Sequence, residues 1–90
     1  MLTTGSIEVS TKSLRSRDHR ALIAVLRATR AEVGVTQRDV AERLKWANSK
    51  YAAVETGERR LDVVEFKQLA EALGVDPELL FNRFIHWGGK

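Results

Sequence analysis

Residues 34–57 read GVTQRDVAERLKWANSKYAAVETG, and this stretch decides the fold. Gly34 can close a preceding helix in the left-handed conformation. Thr36 is a good N-cap residue, because its hydroxyl can accept a hydrogen bond from a free backbone N–H. A helix is therefore predicted to begin at Gln37.

A second helix is predicted to open at Asn48 and to end at Gly57, after a short irregular link. Apolar residues recur at helical spacing in both helices, at Val40, Ala41 and Leu44 and then at Tyr51 and Val54. Two short helices around a tight turn are the layout of a helix-turn-helix unit, which is predicted over residues 36–57. Its second helix is the candidate DNA reader.

Capping signals place the remaining helices. Ser16 is predicted to cap a first helix that runs to about Val33, and Asp62 is predicted to cap a fourth helix that ends at Gly74. A fifth helix is predicted after Asp76, since proline follows it. The apolar faces are predicted at Leu22, Leu26, Thr29 and Val33, at Val63, Phe66, Leu69, Ala70 and Leu73, and at Leu79, Leu80 and Phe84.

These signals predict an all-α domain of five helices over residues 16–87, with no strand-type alternation. Residues 1–15 have no convincing apolar period and are predicted to be a flexible N-terminal arm, and residues 88–90 are predicted to fray. A chain of 90 residues buries a modest share of its surface, so dimerisation would stabilise it.

Composition excludes several classes of protein. The chain has no cysteine, which excludes a disulfide framework and a cysteine-based zinc site. It shows no export signal and no apolar run long enough to span a membrane, so a soluble cytoplasmic protein is expected. The net charge is +3, but the first thirty residues carry six Lys/Arg against two Asp/Glu and the last thirty carry three against five. This uneven charge distribution favours contact with DNA phosphate near the N-terminal end of the chain and disfavours it near the C-terminal end.

The ordered motifs TQxxVAERL, YxxVExG and FxxLAEALGVDP resemble the Cro/phage-repressor-like (XRE) helix-turn-helix family, over roughly residues 20–84. The resemblance implies a compact lambda-repressor-like fold in which Ala41 lets the two helices cross closely. It also implies double-stranded DNA as the ligand. The turn departs from the family pattern, because Lys45 stands where glycine is usual, and a positive φ there would cost about 1 kcal/mol.

The start of the reading helix supplies the candidate base contacts. Asn can read adenine, Ser can serve several base edges and Lys can reach guanine or a phosphate. One turn further on, a position that often carries a polar reader in the family is an alanine, whose methyl group can pack against thymine. The predicted base-reading residues are therefore Asn48, Ser49, Lys50 and Ala53.

Other polar residues are candidates for the DNA backbone. The resemblance implies that Gln37 bonds a phosphate and that the loop after the reading helix follows the sugar-phosphate chain. An intramolecular pair with Glu55 or Glu58 competes for at least one arginine of that loop. The predicted backbone contacts are Gln37, Arg38, Arg43, Lys45, Arg59 and Arg60.

Aromatic residues leave two questions open. Trp46 stands where the family usually has a small aliphatic residue, so it either fills that core slot or stacks on a sugar or a partner surface. Phe81, Phe84 and Trp87 either complete the core of the monomer or form a dimer or partner surface.

No enzyme pattern is convincing. Asp62, Glu65 and Lys67 follow the order of acids and lysine that metal-dependent nucleases use, but the first two are better explained as a helix capping box. His19 and His86 are far apart in sequence and lack cysteine partners, so no metal ligand, catalytic residue or cofactor is predicted.

Three hypotheses for function remain. The first is a dimeric repressor that reads a near-palindromic operator through the major groove. The second is an antitoxin whose main task is to bind a protein partner such as a toxin. The third is an interaction module with vestigial DNA binding, which Lys45, Trp46 and Ala53 favour.

Overall fold

The computed structural model describes residues 16–88, and the predicted N-terminal arm lies outside them. This part of the chain folds into five helices with no strand. They are α1 (Arg17–Val33), α2 (Gln37–Leu44), α3 (Asn48–Thr56), α4 (Val63–Leu73) and α5 (Pro77–Ile85). The all-α prediction is thus confirmed. None of these helices is both long and apolar enough to cross a membrane.

Local capping chemistry sets most helix starts, as the sequence predicts. The Ser16 side chain accepts from the backbone of α1, and the Asp76 side chain does so for α5. Thr36 and Asp62 each form a full capping box, in which the side chain three residues later bonds back to the cap backbone. These caps satisfy backbone donors that would otherwise be left unpaired at the helix ends.

The core lies where α1, α2, α3 and α4 converge, and α5 covers α1 and α4. α1 contacts α3, α4 and α5, while α2 packs against α3 and α4. The core residues are Val25, Leu26, Val40, Ala41, Tyr51, Val54, Leu69, Ala70, Leu73 and Leu80. Ala41 is 2% exposed, as expected for a small residue where two helices cross.

Three predicted core positions are wrong. Val33 is 41% exposed, Val63 is 80% exposed and Leu79 is 69% exposed. Val33 and Val63 are the last residue of α1 and the first residue of α4, where each helix extends past the core. In α5 the buried residue is Leu80, and Phe84 also packs against the core, as does Trp87 just after the helix; Leu79 is left exposed.

Gly57 ends α3 at a crowded place. Its φ is +90°, and a Cβ atom there would lie 2.9 Å from Ile23 Cδ1 of α1. The carbonyl oxygen of Gly57 lies 3.2 Å from His19 Nε2, also of α1. Glycine thus lets the end of α3 approach α1 closely.

The turn between α2 and α3 is closed by Lys45 in the left-handed conformation, with a φ of 61°. Among residues 16–88 it is the one non-glycine residue with positive φ. Its N–H bonds to the carbonyl groups of Ala41 and Glu42, so the geometry that the family usually gives to glycine is kept. Lys45 therefore carries the backbone strain of the left-handed conformation, because it has a Cβ atom.

We expect Lys45→Gly to raise the free energy of unfolding by about 1 kcal/mol, because glycine removes the left-handed strain. Urea unfolding followed by circular dichroism measures the change. Lys67→Gly is the matched control, since Lys67 is an exposed residue inside α4. This substitution is expected to lower the free energy of unfolding by about 0.5–1 kcal/mol. A Lys45→Gly protein less stable than wild type would contradict the expectation.

Candidate nucleic-acid interface

The first turn of α3 presents polar side chains to solvent. Asn48 and Ser49 are exposed, and Lys50 is half-buried. The N-cap residue is Ala47, whose side chain cannot accept a hydrogen bond, so no side chain caps this helix. Asn48 and Ser49 are therefore helical residues free to reach a ligand, while α3 is held from its opposite face by Tyr51 and Val54.

Ala53 is half-buried, one turn beyond Lys50. It bears no polar side-chain atom, and its carbonyl oxygen accepts from the Thr56 hydroxyl at 3.1 Å. Contact with a base from this position is limited to its methyl group.

The predicted backbone contacts fall into two groups. Arg38 and Lys45 are exposed on α2 and its turn, and Arg60 is exposed in the loop after α3. Arg43 instead donates from Nη1 to the carbonyl oxygen of Ala72 at 2.8 Å. That bond directs Arg43 to the C-terminal end of α4, where a cation is favoured, and not toward α3.

Arg59 has a different partner from the ones predicted. Glu55 and Glu58 were the expected acids, but Arg59 pairs with Glu65 through two hydrogen bonds of 3.1 and 2.8 Å. Glu55 is turned into the protein, so it is out of reach. The Arg59 guanidinium holds the pKa of the Glu65 carboxyl below its usual value, and the pair links the loop after α3 to the start of α4.

A buried carboxylate organises the unit from inside. Glu55 is 1% exposed. Arg30 of α1 donates to its two oxygens at 2.6 and 3.0 Å, and the Tyr51 hydroxyl donates at 2.5 Å. Gln37 Nε2 donates to it at 2.8 Å. Arg30 also donates to the carbonyl of Val35 at 3.0 Å, so one network joins α1, α2 and α3.

The charged form of Glu55 is favoured in this network. Burial opposes ionisation, but the hydrogen bonds from Arg30, Tyr51 and Gln37 outweigh it and hold the pKa of Glu55 below its usual value. Burial and the bond to Glu55 raise the pKa of Tyr51. Gln37, a predicted phosphate contact, is thereby fixed at the first position of α2 with its side-chain amide oriented.

Sequence reasoning missed this network. A glutamate near the end of a short helix reads as a solvated residue, and its partner Arg30 lies 25 positions away. One signal was present in the sequence. Tyr51 and Glu55 are four residues apart and so share a helix face, and Tyr51 was predicted to belong to the apolar positions of this helix.

Trp46 lies in the turn before α3 and is half-buried against the core. Two cations approach its ring, with Lys50 Nζ 4.2 Å and Arg59 Cζ 5.3 Å from the ring centre. The indole therefore packs against the core and also carries charged neighbours on the α3 side.

Near the C-terminus, Phe84 and Trp87 pack against the core. Phe81 stays 49% exposed, although its ring contacts Phe66 edge-on with centres 5.9 Å apart. It lies in a groove between α4 and α5 that Val63 and Phe66 also line. Of the three aromatic residues predicted for a dimer or partner surface, Phe81 is the most open to solvent.

The acids considered for a nuclease site serve as the cap of α4. Glu65 N–H donates to Asp62 at 2.7 Å, and the backbone of Asp62 donates to Glu65 at 3.1 Å. Lys67 pairs with Glu71 at 2.6 Å. Within residues 16–88, no three His, Cys, Asp or Glu side chains are grouped so as to hold a metal ion.

Residues 21–80 match the family model described as a helix-turn-helix domain. The chain is similar to an XRE-family like protein from Pseudomonas syringae pv. tomato str. DC3000, with 33% identity and a TM-score of 0.76 over 88% of this chain and 96% of that one. No curated protein matches the chain significantly in sequence.

The fold also resembles the restriction-modification controller protein C.Esp1396I, with 22% identity and a TM-score of 0.73 over 79% of this chain and 93% of that one. That protein has been solved as a tetramer in complex with its natural 35 base-pair operator. At this identity the likeness is one of fold.

Proposed function

Because the chain belongs to the XRE family of helix-turn-helix proteins, we propose that it regulates transcription by reading a near-palindromic DNA operator as a dimer. Its reading element is α3, which enters the major groove. Binding there represses by occluding a promoter. The family and the fold place the chain among DNA-binding regulators, and the geometry of α3 supports the more specific proposal.

The observation that carries the proposal is the contrast between the two faces of α3. One face holds Tyr51 and Glu55 in the protein, while the first turn presents Asn48 and Ser49 to solvent without a capping side chain. A helix fixed in this way can place its N-terminal side chains at base edges without loss of order. Lys50 completes the polar turn.

Backbone contacts would fix the register on DNA. Arg38 and Lys45 are exposed on the same two-helix unit, and Arg60 follows it. Gln37 sits at the start of α2, where one N–H of its side-chain amide donates to Glu55 and the second N–H would serve a phosphate. Helix N-termini and side chains of this kind commonly bond phosphate oxygens. Arg43 contributes less to this set, because it is bonded to the end of α4.

The dimer is proposed to form through the groove between α4 and α5. Phe81 and Val63 are exposed there, and Ile85, one turn after Phe81, is 57% exposed. Apolar side chains clustered on a small domain mark an interaction surface. The controller protein of similar fold is a tetramer on its operator, which supports assembly as part of the proposed function.

The test is fluorescence anisotropy with DNA from upstream of this gene and a scrambled duplex, at two salt concentrations. We expect tight binding to the upstream DNA, weakening with salt at a slope of roughly −0.9 per phosphate neutralised. Equal weak binding to both duplexes would reject the operator-reading proposal. It would favour a protein partner on the α4–α5 groove, as in an antitoxin, and a stoichiometric partner would then co-purify.

Asn48→Ala is expected to cost about 1–3 kcal/mol on the upstream DNA and little on the scrambled duplex, because a lost base contact affects only the cognate site. The same anisotropy titration measures both. Asn82→Ala is the matched control, since Asn82 is an exposed residue of α5 far along the chain from α3. Equal loss on both duplexes would exclude base reading by Asn48.

A further inference from the structure

Two cations share one indole at the edge of α3. Lys50 Nζ lies 4.2 Å and Arg59 Cζ 5.3 Å from the centre of the Trp46 ring. Both are within the range of about 6 Å in which an aromatic ring attracts a cation. Trp46 is packed against the core, so its position is fixed by the fold. The ring therefore gives the two long, flexible side chains a fixed surface to pack against.

Arg59 is only partly occupied by its acidic partner. Its Nη1 and Nη2 groups carry the bonds to Glu65, and Nη1 also donates to the carbonyl oxygen of Arg60. A guanidinium has five N–H donors. Among residues 16–88, no bond is made by Nε, so the edge formed by Nε and Nη2 can still receive an anion.

Lys50 brings a second positive charge to this cluster without a direct ion pair in the described part of the chain. None of the ion pairs within residues 16–88 involves its ammonium group. It is close enough to Glu65 that its charge, after the stronger effect of Arg59, helps to lower the pKa of that carboxyl. The cluster thus combines two cations with one carboxylate beside the exposed first turn of α3.

We propose that Lys50 and Arg59 form a clamp for one DNA backbone phosphate, and that Trp46 is the positioning residue that holds them. The clamp rests on the proposed function, because it requires α3 to lie against DNA. A lysine acts on phosphate as a point charge, while an arginine edge matches two phosphate oxygens. Contact with the Trp46 ring orders both side chains before DNA binds, which reduces the conformational entropy that they lose on binding.

A purely structural Trp46 would fill the core slot and do nothing else. Its replacement would then change stability, and the contribution of Lys50 to DNA binding would stay the same. The clamp proposal predicts a different result, because Lys50 loses the ring that positions it when the indole is removed. The two roles are therefore distinguished by the coupling between Trp46 and Lys50.

The experiment is a double-mutant cycle of Trp46→Leu and Lys50→Ala, measured by anisotropy on a random-sequence DNA duplex at two salt concentrations. Lys50→Ala is expected to weaken binding and to reduce the salt slope by about one. In the Trp46→Leu protein, the loss caused by Lys50→Ala is expected to shrink by about threefold. Lys67→Ala, which removes an exposed lysine of α4, is the control and should show no coupling to Trp46.

Additive effects of the two substitutions, in protein that still binds the duplex, overturn the clamp and leave the proposed function standing. Wild-type protein that binds no duplex at low salt overturns both. If Trp46→Leu does not fold, Trp46→Phe takes its place in the cycle, since phenylalanine keeps an apolar plug with a weaker ring. It is expected to give a smaller coupling of the same sign, and additivity there also overturns the clamp.

Discussion

Replacing Glu55 with alanine is expected to lower the free energy of unfolding by about 3–5 kcal/mol, which is the usual cost of removing one partner of a buried ion pair. Glu55 is 1% exposed, and its loss leaves Arg30, Tyr51 and Gln37 without their acceptor. Globular domains have only about 5–15 kcal/mol of stability in total, so the variant should be largely destabilised. Urea unfolding followed by circular dichroism measures the difference.

Glu71→Ala is the matched control. Glu71 also pairs with a basic residue, Lys67 at 2.6 Å, but both side chains are exposed. An exposed pair of this spacing is worth about 0.3–0.5 kcal/mol. A Glu55→Ala protein as stable as the Glu71→Ala protein would show that the network does not hold the fold together.

The same network makes stability depend on pH. The pKa of Glu55 is lowered in the folded protein, so its contribution is present above the pKa of the unfolded chain, about 4.3, and is lost as the pH falls through the folded value. Wild-type stability should therefore decline in acid. Glu65 and Asp39, whose pKa values are also lowered, add to that decline. The Glu55→Ala protein should show a shallower decline than wild type.

Phe81→Glu is expected to abolish the dimer and to weaken operator binding by about 10²–10⁴-fold, because two linked half-site contacts become independent. Phe81 is 49% exposed in the groove between α4 and α5, so a carboxylate there would be desolvated and would face its own copy across the interface. Light scattering measures the oligomeric state, and anisotropy measures affinity for a full operator and for a half-operator. Half-operator affinity should not change.

Leu79→Glu supplies the control, since it adds the same charge to the same helix. Leu79 is 69% exposed and lines a different depression, beside Thr29 and Val75. It should leave both the dimer and operator binding unaffected. A Phe81→Glu protein that stays dimeric would place the interface elsewhere.

The helix boundaries were predictable because they depend on chemistry within a few residues. Ser16, Thr36, Asp62 and Asp76 each bond a backbone group two or three positions away, and such bonds can be read from the sequence. The positive φ of Lys45 was considered only as a conditional cost, because the resembling family usually has glycine at this position.

The edges of the core were not predictable in the same way. Helical periodicity placed Val63 on the buried stripe of α4, but periodicity does not say where the neighbouring helix ends. Partners distant in sequence were missed for a related reason. Arg43 meets Ala72 and Arg30 meets Glu55 only because the folded helices bring them together. The base-reading and backbone residues remain predictions until a DNA complex is measured.

The strained residue Lys45 has a consequence for how this protein can diverge. Substitutions at the exposed residues Asn48 and Ser49 that would retarget the operator usually shift the free energy of unfolding by no more than about 0.5 kcal/mol each. A single change of Lys45 to glycine would return about 1 kcal/mol, since the left-handed turn is already formed. A stabilising substitution is therefore available in the turn, and it could offset destabilising changes at the neighbouring residues proposed to set specificity.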